Sequence, residues 1–389
     1  MIRRLFGGGW ILANVLFDLA TRVVEKDQQI WSMFPGLGRK FFGMFAEHSA
    51  IFLDTPGLRI TSELLENDDA LRQHVAMSQA WVKYYYDGGK QPSNNPSDYE
   101  IIKSASNNAS VGNVRNVFLK MKPGDLVLVG GFSHYQPILV GEIEEPFDAR
   151  RYVRYERYGN DRIPLRRVNW LQMNVERRVL SEPLSKLLSN RRTVVHIDKH
   201  IFGEEVYRIA YGDYVSGADA RYIYEGPKYK NIALAAVPGI DLISYFCAAF
   251  NAAEEGELDS FANLDISKAT SNYFEQDVLY SFEIEFASPG AYVLHAKRAA
   301  LPLLVAVLVA ATSGNISLNE ARAATVENSA SAVTATATAP AVDACTLEIQ
   351  QKYAAIMASI NADRFKQLCK MNRDAQDGVG LRTRIKRKK

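Results

Sequence analysis

Cysteine is scarce, with only Cys247, Cys345 and Cys369 in 389 residues. Three thiols so widely spaced offer none of the close pairs that a zinc site needs. No GxxxxGK[ST] phosphate loop and no HExxH helix occurs, so nothing announces a nucleotide-hydrolysing loop or a zinc peptidase, and no cofactor or metal is expected. Charge of one sign is also lacking: the formal net charge is +2, which by itself names no partner. Arg3 and Arg4 precede an apolar stretch, Trp10 to Phe17, that stops at Asp18, too short for a signal peptide. The apolar share of 47% and charged share of 23% are those of an ordinary globular core, and the length suits two domains with appendages.

The most informative stretch runs from Val111 to Leu171 and centres on Met121-Lys122-Pro123-Gly124-Asp125-Leu126-Val127-Leu128-Val129. Val111, Val114, Phe118 and Met121 recur at helical spacing, and Pro-Gly-Asp stops that helix. Leu126–Val129 and Ile138–Ile143 then read as strands separated by the loop Gly130-Gly131-Phe132-Ser133-His134-Tyr135-Gln136-Pro137, and Arg166-Arg167-Val168-Asn169-Trp170-Leu171 as a third. Upstream, Ile30-Trp31-Ser32-Met33-Phe34-Pro35-Gly36 starts a strand, Leu37, Phe41, Phe42 and Phe45 suggest a helix, and Ser49–Asp54 is strand-like before Thr55-Pro56-Gly57. Residues 62–86 read as helical and 87–110 as a polar surface loop.

This order resembles the PUA-like superfamily, and within it the EVE-like readers found at the front of modification-dependent restriction proteins. It comprises a Trp-start strand, a helix, a strand ending in Asp-x-Pro-Gly, a helix leading into Met-Lys-Pro-Gly-Asp, a Val-Gly-Glu-Ile strand and an Arg-Arg-Val-x-Trp strand. The resemblance covers about residues 28–175. It implies a small β-barrel that binds nucleic acid and holds a modified or flipped base in a pocket beside the sheet. The chain departs from the restriction proteins in having no recognisable nuclease or GTPase segment after it.

The expected fold class is thus α+β. Residues 1–27 read as an N-terminal amphipathic helix, 28–180 as the PUA/EVE-like domain and 181–298 as a second α+β domain. In the latter, Val194–Ile197, Val206–Tyr211, Tyr222–Tyr224, Leu279–Phe286 and Tyr292–Leu294 look like strands, and Asn231–Ala253 like a buried helix bent at Pro238-Gly239. Residues 299–319 carry no charge and read either as a buried helix or as a membrane span, which would anchor an otherwise cytoplasmic chain in the inner membrane. Residues 320–343 are a low-complexity linker. Residues 344–389 read as a helix with a solvated basic tail, the last eight residues holding six basic side chains. If 299–319 spans, Cys345 and Cys369 would lie on the oxidising side, where they could pair.

A base-reading pocket needs flat walls for stacking and polar groups for the base edge. Trp31, Phe34, Phe132, Tyr135 and Trp170 are the candidate walls, and Asp54, Ser133 and His134 the candidate edge contacts. Arg150, Arg151, Arg154, Arg166 and Arg167 are the candidate phosphate contacts, interleaved with Tyr152, Tyr155 and Tyr158. Each has a structural alternative: an aromatic on a short strand is core, and an Arg/Tyr run diluted by Glu156 and Asp161 is a solvated face. Catalytic signals are weak. His196-Ile197-Asp198-Lys199-His200 groups titratable side chains, and Glu283 and Glu285 share a strand without the lysine that would complete a nuclease pattern. The residues therefore point to a nucleic-acid or nucleotide sensor in a prokaryotic defence setting, the setting resting on the resemblance alone. The other readings are a membrane-anchored effector sensing a protein partner and an unrecognised hydrolase in 181–298; homo-oligomer formation is open.

Overall fold

The structure, a computed structural model, describes residues 15–101, 103–131, 137–159, 161–229, 232–285, 290–330 and 344–388. The chain is α+β and divides into two units, residues 27–211 and residues 15–26 with 212–388. It opens on two strands of the second unit, β1 (Leu16–Asp18) and β2 (Arg22–Val24). The helix expected over 1–27 is thus replaced by strands from residue 16 on, because residues 16–18 and 22–24 find strand partners hundreds of positions downstream.

The first unit begins with β3 (Ile30–Met33), α1 (Phe42–Glu47) and β4 (Ala50–Phe52). Helices α2 (Ser62–Glu66) and α3 (Asp68–Asp87) follow, parted at Asn67, whose side chain accepts from the Ala70 amide at 3.0 Å and caps α3. Asp68 in that first turn holds Arg72 at 2.7 Å and, from α4 (Ala105–Arg115), Arg115 at 2.9 Å, tying the two helices together. A wide helical turn, residues 116–120, extends α4; Val111, Val114, Phe118 and Met121 are all buried, as their spacing predicts, and Val117 is buried with them. Next come β5 (Leu126–Gly130), β6 (Ile138–Ile143), β7 (Tyr152–Arg154) and β8 (Arg162–Val175). The unit ends with α5 (Glu182–Ser189), β9 (Val194–Ile197) and α6 (Lys199–Tyr211). Asp198 accepts the His200 amide at 2.9 Å at the start of α6. Residues 206–211 are therefore helix rather than the expected strand, with Val206, Tyr207 and Ala210 on its buried face.

These strands form one mixed sheet in the order β4-β8-β6-β5-β3-β9, with β7 hydrogen-bonded to β8. Only β3 and β5 run parallel; the other pairs are antiparallel. Every residue of β5 is buried, as an uninterrupted apolar run requires of a strand covered on both faces. Pairing among the described residues leaves the sheet open, with β4 and β9 at its edges. Two register shifts between β6 and β8 bend the long strand, so that it serves β6, β4 and β7 in succession. Beside the second shift sits Gly141, where a Cβ would stand 2.6 Å from Val168 Cγ1 and 2.7 Å from the Trp170 ring. The unit extends past residue 180 because β9 adds to the edge of β3.

In the second unit, β10 (Tyr214–Ser216) and β11 (Asp219–Gly226) precede the apolar helix α7 (Val237–Glu255). Pro238 lies in the first turn of α7 and starts it instead of bending it. Helices α8 (Leu258–Asn263) and α9 (Ile266–Tyr273) lead to β12 (Leu279–Glu285) and β13 (Gly290–Ala296). Then come α10 (Ala300–Ala311), α11 (Leu318–Ala323), β14 (Thr325–Glu327), α12 (Ala344–Ser359), α13 (Ala362–Gly378) and β15 (Lys386–Lys388). Five strands pair in the order β12-β13-β11-β10-β2 and three in the order β14-β1-β15. Among the described residues no disulfide joins Cys247, Cys345 or Cys369.

Helix α10 settles the status of 299–319. Its 12 residues extend about 18 Å at 1.5 Å per residue, against about 30 Å of bilayer core. It is enclosed by α7, α12, β11 and β13, with Tyr224 Oη donating to Pro302 O at 2.7 Å and Asn372 Nδ2 to Val309 O at 2.7 Å. It is a core helix. Among the described residues one helical stretch, Ala233–Glu255, is long and apolar enough to cross a membrane, and it too carries much of the unit's buried core.

The basic tail is not simply solvated. β15 pairs antiparallel with β1, and Lys388 reaches Asp18 at 3.1 Å and Glu327 at 2.6 Å. Arg384 bridges Asp213 and Glu225 at 3.1 and 3.0 Å. Burial pushes the Asp18 carboxyl up, but hydrogen bonds from Ser329, Lys388 and Ala20 outweigh it and hold it below its ordinary value. A carboxyl depressed in the folded state stabilises above its unfolded pKa of about 3.9 and loses that contribution as pH falls.

Two outcomes follow from this packing. Gly141→Ala should cost about 1–3 kcal/mol through overpacking, read as a lower urea midpoint at unchanged slope; an unchanged midpoint would contradict the close approach. Removing residues 386–389 should raise amide exchange in β1 at neutral pH, and acidification below about pH 4 should loosen β1 in the full-length chain; identical exchange in both proteins would show β15 to be dispensable.

Candidate nucleic-acid interface

Thr55-Pro56-Gly57 turns the chain after β4 and delivers Arg59 and Thr61 to the surface just before α2. Across from them, α3 presents His74, Met77 and Trp81 on one helical face, and the β7–β8 hairpin presents Arg150, Arg151, Tyr152, Arg154 and Arg162. Between these walls lies an open groove of about 1080 Å³. Five of its lining residues are arginines and one, Asp161, is an acid.

The arginines differ in how far they are already committed. Arg150 is bidentate to Asp148 at 3.0 Å, and its hydrogen bonds hold that carboxyl down to about 2. Arg151 pairs with Glu145 at 2.9 Å. Arg59, Arg154 and Arg162 have no carboxylate partner among the described residues. Tyr152, 38% exposed, is faced by the guanidinium of Arg162 at 4.4 Å and of Arg154 at 5.6 Å. Cationic planes over an exposed aromatic ring give a wall that can meet both a phosphate and a base face.

A second cluster lies at the turn before α1. Lys40 Nζ sits 2.6 Å from Asp54 and donates to Tyr158 Oη at 2.7 Å and Tyr86 Oη at 2.9 Å. The rings of Phe41, Tyr86 and Tyr158 surround it at 4.8, 4.6 and 5.2 Å. Burial and the neighbouring Asp54 raise the Tyr158 hydroxyl well above its ordinary value, and Tyr158 donates to Asp54. Burial and Asp161 raise Tyr85 to about 12, and Tyr85 donates to Asp161 at 3.2 Å, joining this cluster to the groove wall.

Of the residues expected to touch ligand, Arg150, Arg151 and Arg154 do converge in the groove, together with Arg59, which carries no sequence signal, and Arg162. Arg166 does not. It is 3% exposed, donates to Met121 O and Glu145 O at 3.1 Å each, and burial lowers its pKa to about 10. A guanidinium enclosed in this way braces two turns of chain and is out of reach of a phosphate. Arg167 is half-buried, bound to His48 O at 2.9 Å and to Glu144 at 3.3 Å.

The expected walls are also used internally. Trp31 is buried, with His196 edge-on at 5.1 Å and its indole N–H donating to Asp125 at 3.1 Å. Trp170 donates to Phe45 O at 3.0 Å beside Gly141. Phe34 is half-buried beneath the Arg39 guanidinium, and Asp54 is taken by Lys40 and Tyr158. None of these four lines the groove. Phe132, Ser133, His134 and Tyr135 lie outside the described residues. His196 accepts or donates to Gln29 at 2.6 Å at a sheet edge, and Glu283 and Glu285 are exposed on the edge strand β12. Among the described residues no three His, Cys, Asp or Glu side chains converge as metal ligands.

Comparison of the chain with protein-family models, with curated proteins and with solved structures gives no match in any of the three.

Asp125 gives the sharpest local test. Its carboxylate accepts from Trp31 Nε1 and from the amides of Gln29 and Lys122 at 2.9–3.1 Å. Asp125→Ala should lower stability by about 3 kcal/mol, the upper end for buried donors left without an acceptor. A change within about 0.5 kcal/mol in urea unfolding, as for a neutral surface site, would show that the carboxylate is dispensable.

Proposed function

We propose that residues 27–211 are a nucleic-acid recognition module of the PUA-like, EVE-like kind, which holds a strand along the arginine groove and reads a modified or unpaired base or a nucleotide. The observation that carries the binding is the groove itself, where Arg59, Arg154 and Arg162 face solvent, with no carboxylate partner among the described residues, beside the exposed ring of Tyr152. Guanidinium groups neutralise phosphates by displacing counterions, and a tyrosine among them supplies a stacking face for any base.

The mixed, bent sheet supports the PUA-like part of the reading. Its one parallel pair, β3–β5, lies beside antiparallel β5–β6–β8, in the chain order that the resemblance leads one to expect. Selectivity for a modified base and service in a prokaryotic defence system rest on that resemblance.

The test is anisotropy or filter binding of the full chain to matched modified and plain DNA and RNA oligonucleotides across a salt series. Each arginine that meets a phosphate contributes about 0.9 to the slope of log K against log salt. Arg154→Ala with Arg162→Ala should therefore flatten the slope by about 2 and weaken binding to every sequence alike. A slope untouched by the double variant would remove the groove from the function. Equal affinity for modified and plain strands would remove the base-reading part alone.

A further inference from the structure

The second unit holds an open cavity of its own, about 580 Å³ in volume, between α10, the end of α13 and the tail that leads into β15. That volume suits a small molecule, whose sites run from about 300 to 1,000 Å³. The floor is apolar: Phe17, Val309 and Leu381 are each at most 2% exposed, and Ala310 is half-buried beside them. Lys228, Arg382 and Arg387 line the cavity as exposed side chains, and among the described residues no Asp or Glu does.

The three cations are not equivalent. Arg382 is taken by Glu225 at 2.7 Å, whereas Arg387 and Lys228 have no carboxylate partner among the described residues. Arg387 pairs opposite Phe17, so both side chains leave the sheet on the cavity side, while Lys388 leaves on the other side and meets Asp18 and Glu327. A carbonyl positions the Arg387 guanidinium, since Nη1 donates to Asn315 O at 3.1 Å and spends one of five N–H groups. Lys228 is placed by the backbone: its amide donates to Val379 O at 2.9 Å, and its stem crosses Gly380, where a Cβ would stand 2.9 Å from Lys228 Cγ. Gly380 takes φ 75°, so a side chain there would be strained and would also displace the lysine. A charge on an edge strand can serve only to block pairing with another strand. That duty would account for Arg387, but not for Lys228 or for the acid-free cavity between them.

We propose that this cavity binds a small amphipathic anion, whose oxyanion head meets Lys228 and Arg387 and whose apolar part rests on Phe17, Val309 and Leu381. The head is a carboxylate or a phosphate ester, either of which accepts charge-assisted hydrogen bonds from both cations. Every residue of the site belongs to the second unit, so the proposal does not rest on the nucleic-acid reading of the first.

Calorimetric titration of the full chain at fixed ionic strength with octanoate, octyl phosphate, 1-octanol and inorganic phosphate is the test. One or both of the first two should bind at a single site per chain, the tighter naming the head group. Octanol and inorganic phosphate each supply half of the ligand and should bind more weakly by about tenfold or more. Lys228→Gln and Arg387→Gln should each weaken the amphiphile about tenfold, the loss of one charge-assisted hydrogen bond, with Tm unchanged because both side chains are exposed. Ala310→Phe should abolish binding by filling the floor, and if it fails to fold, the two rim variants carry the test. Absence of saturable binding by either amphiphile, or binding that survives both rim variants, overturns the proposal. Octanol binding as tightly as octanoate would also overturn it, by showing an apolar cleft to which the cations contribute nothing.

Discussion

The first unit depends on a carboxylate buried at the end of a turn. Asp125 is 2% exposed and gathers the Gln29 amide, the Trp31 indole and the Lys122 amide around its two oxygens. These contacts fix where β3 enters the sheet, how the Lys-Pro-Gly-Asp turn closes, and how β5 starts beside β3 in parallel register. A parallel pair cannot be set by a tight hairpin, so some long-range contact must choose its register. A buried, fully accepted carboxylate makes that choice at high cost for any alternative, since a shifted register would strand the charge. The nearby Arg166 supports the same corner, binding the carbonyls of Met121 and Glu145.

How much of this could be read from the chain follows from how local each cause is. Leu126–Val129, Ile138–Ile143 and the helix ending near Met121 were legible because their burial patterns repeat over a few residues and Pro-Gly-Asp punctuates them. The sheet's end at β9 was not, since Val194–Ile197 is a strand whose partner is Ile30–Met33. The first residues mislead for the same reason. Leu16 and Leu19 fit a helical stripe, yet β1 is built by pairing with Thr325–Glu327 and Lys386–Lys388. The duty of Trp31 was equally hidden, because its acceptor lies 94 residues away.

The arginines make the same point about the site. Sequence clustering put Arg150, Arg151, Arg154, Arg166 and Arg167 in one class, and the fold separates them. β8 starts at the surface and runs inward, so Arg162 reaches the groove while Arg166, four residues on, lies in the interior against two carbonyls. Arg59 stands alone in the sequence and Arg39 is followed by Lys40, yet each ends beside other guanidiniums. What an arginine does here is set by whether an acid, a carbonyl or nothing faces it, and none of those is a property of the run it sits in.

The two apolar helices of the second unit show how composition can suggest a membrane where packing explains the helix. Ala300–Ala311 is apolar all round because all of its faces have partners, with β11 and β13 contributing on the sheet side and α7 and α12 on the helical side. A helix covered on every face is under no pressure to keep a polar stripe. It needs only acceptors for the polar groups that meet it, and Tyr224 at Pro302 and Asn372 at Val309 and Thr312 supply that match. The tyrosine hydroxyl and the asparagine amide are buried donors that would be stranded in lipid. Each finds its acceptor on or beside the most apolar segment of the chain, as packing inside protein provides.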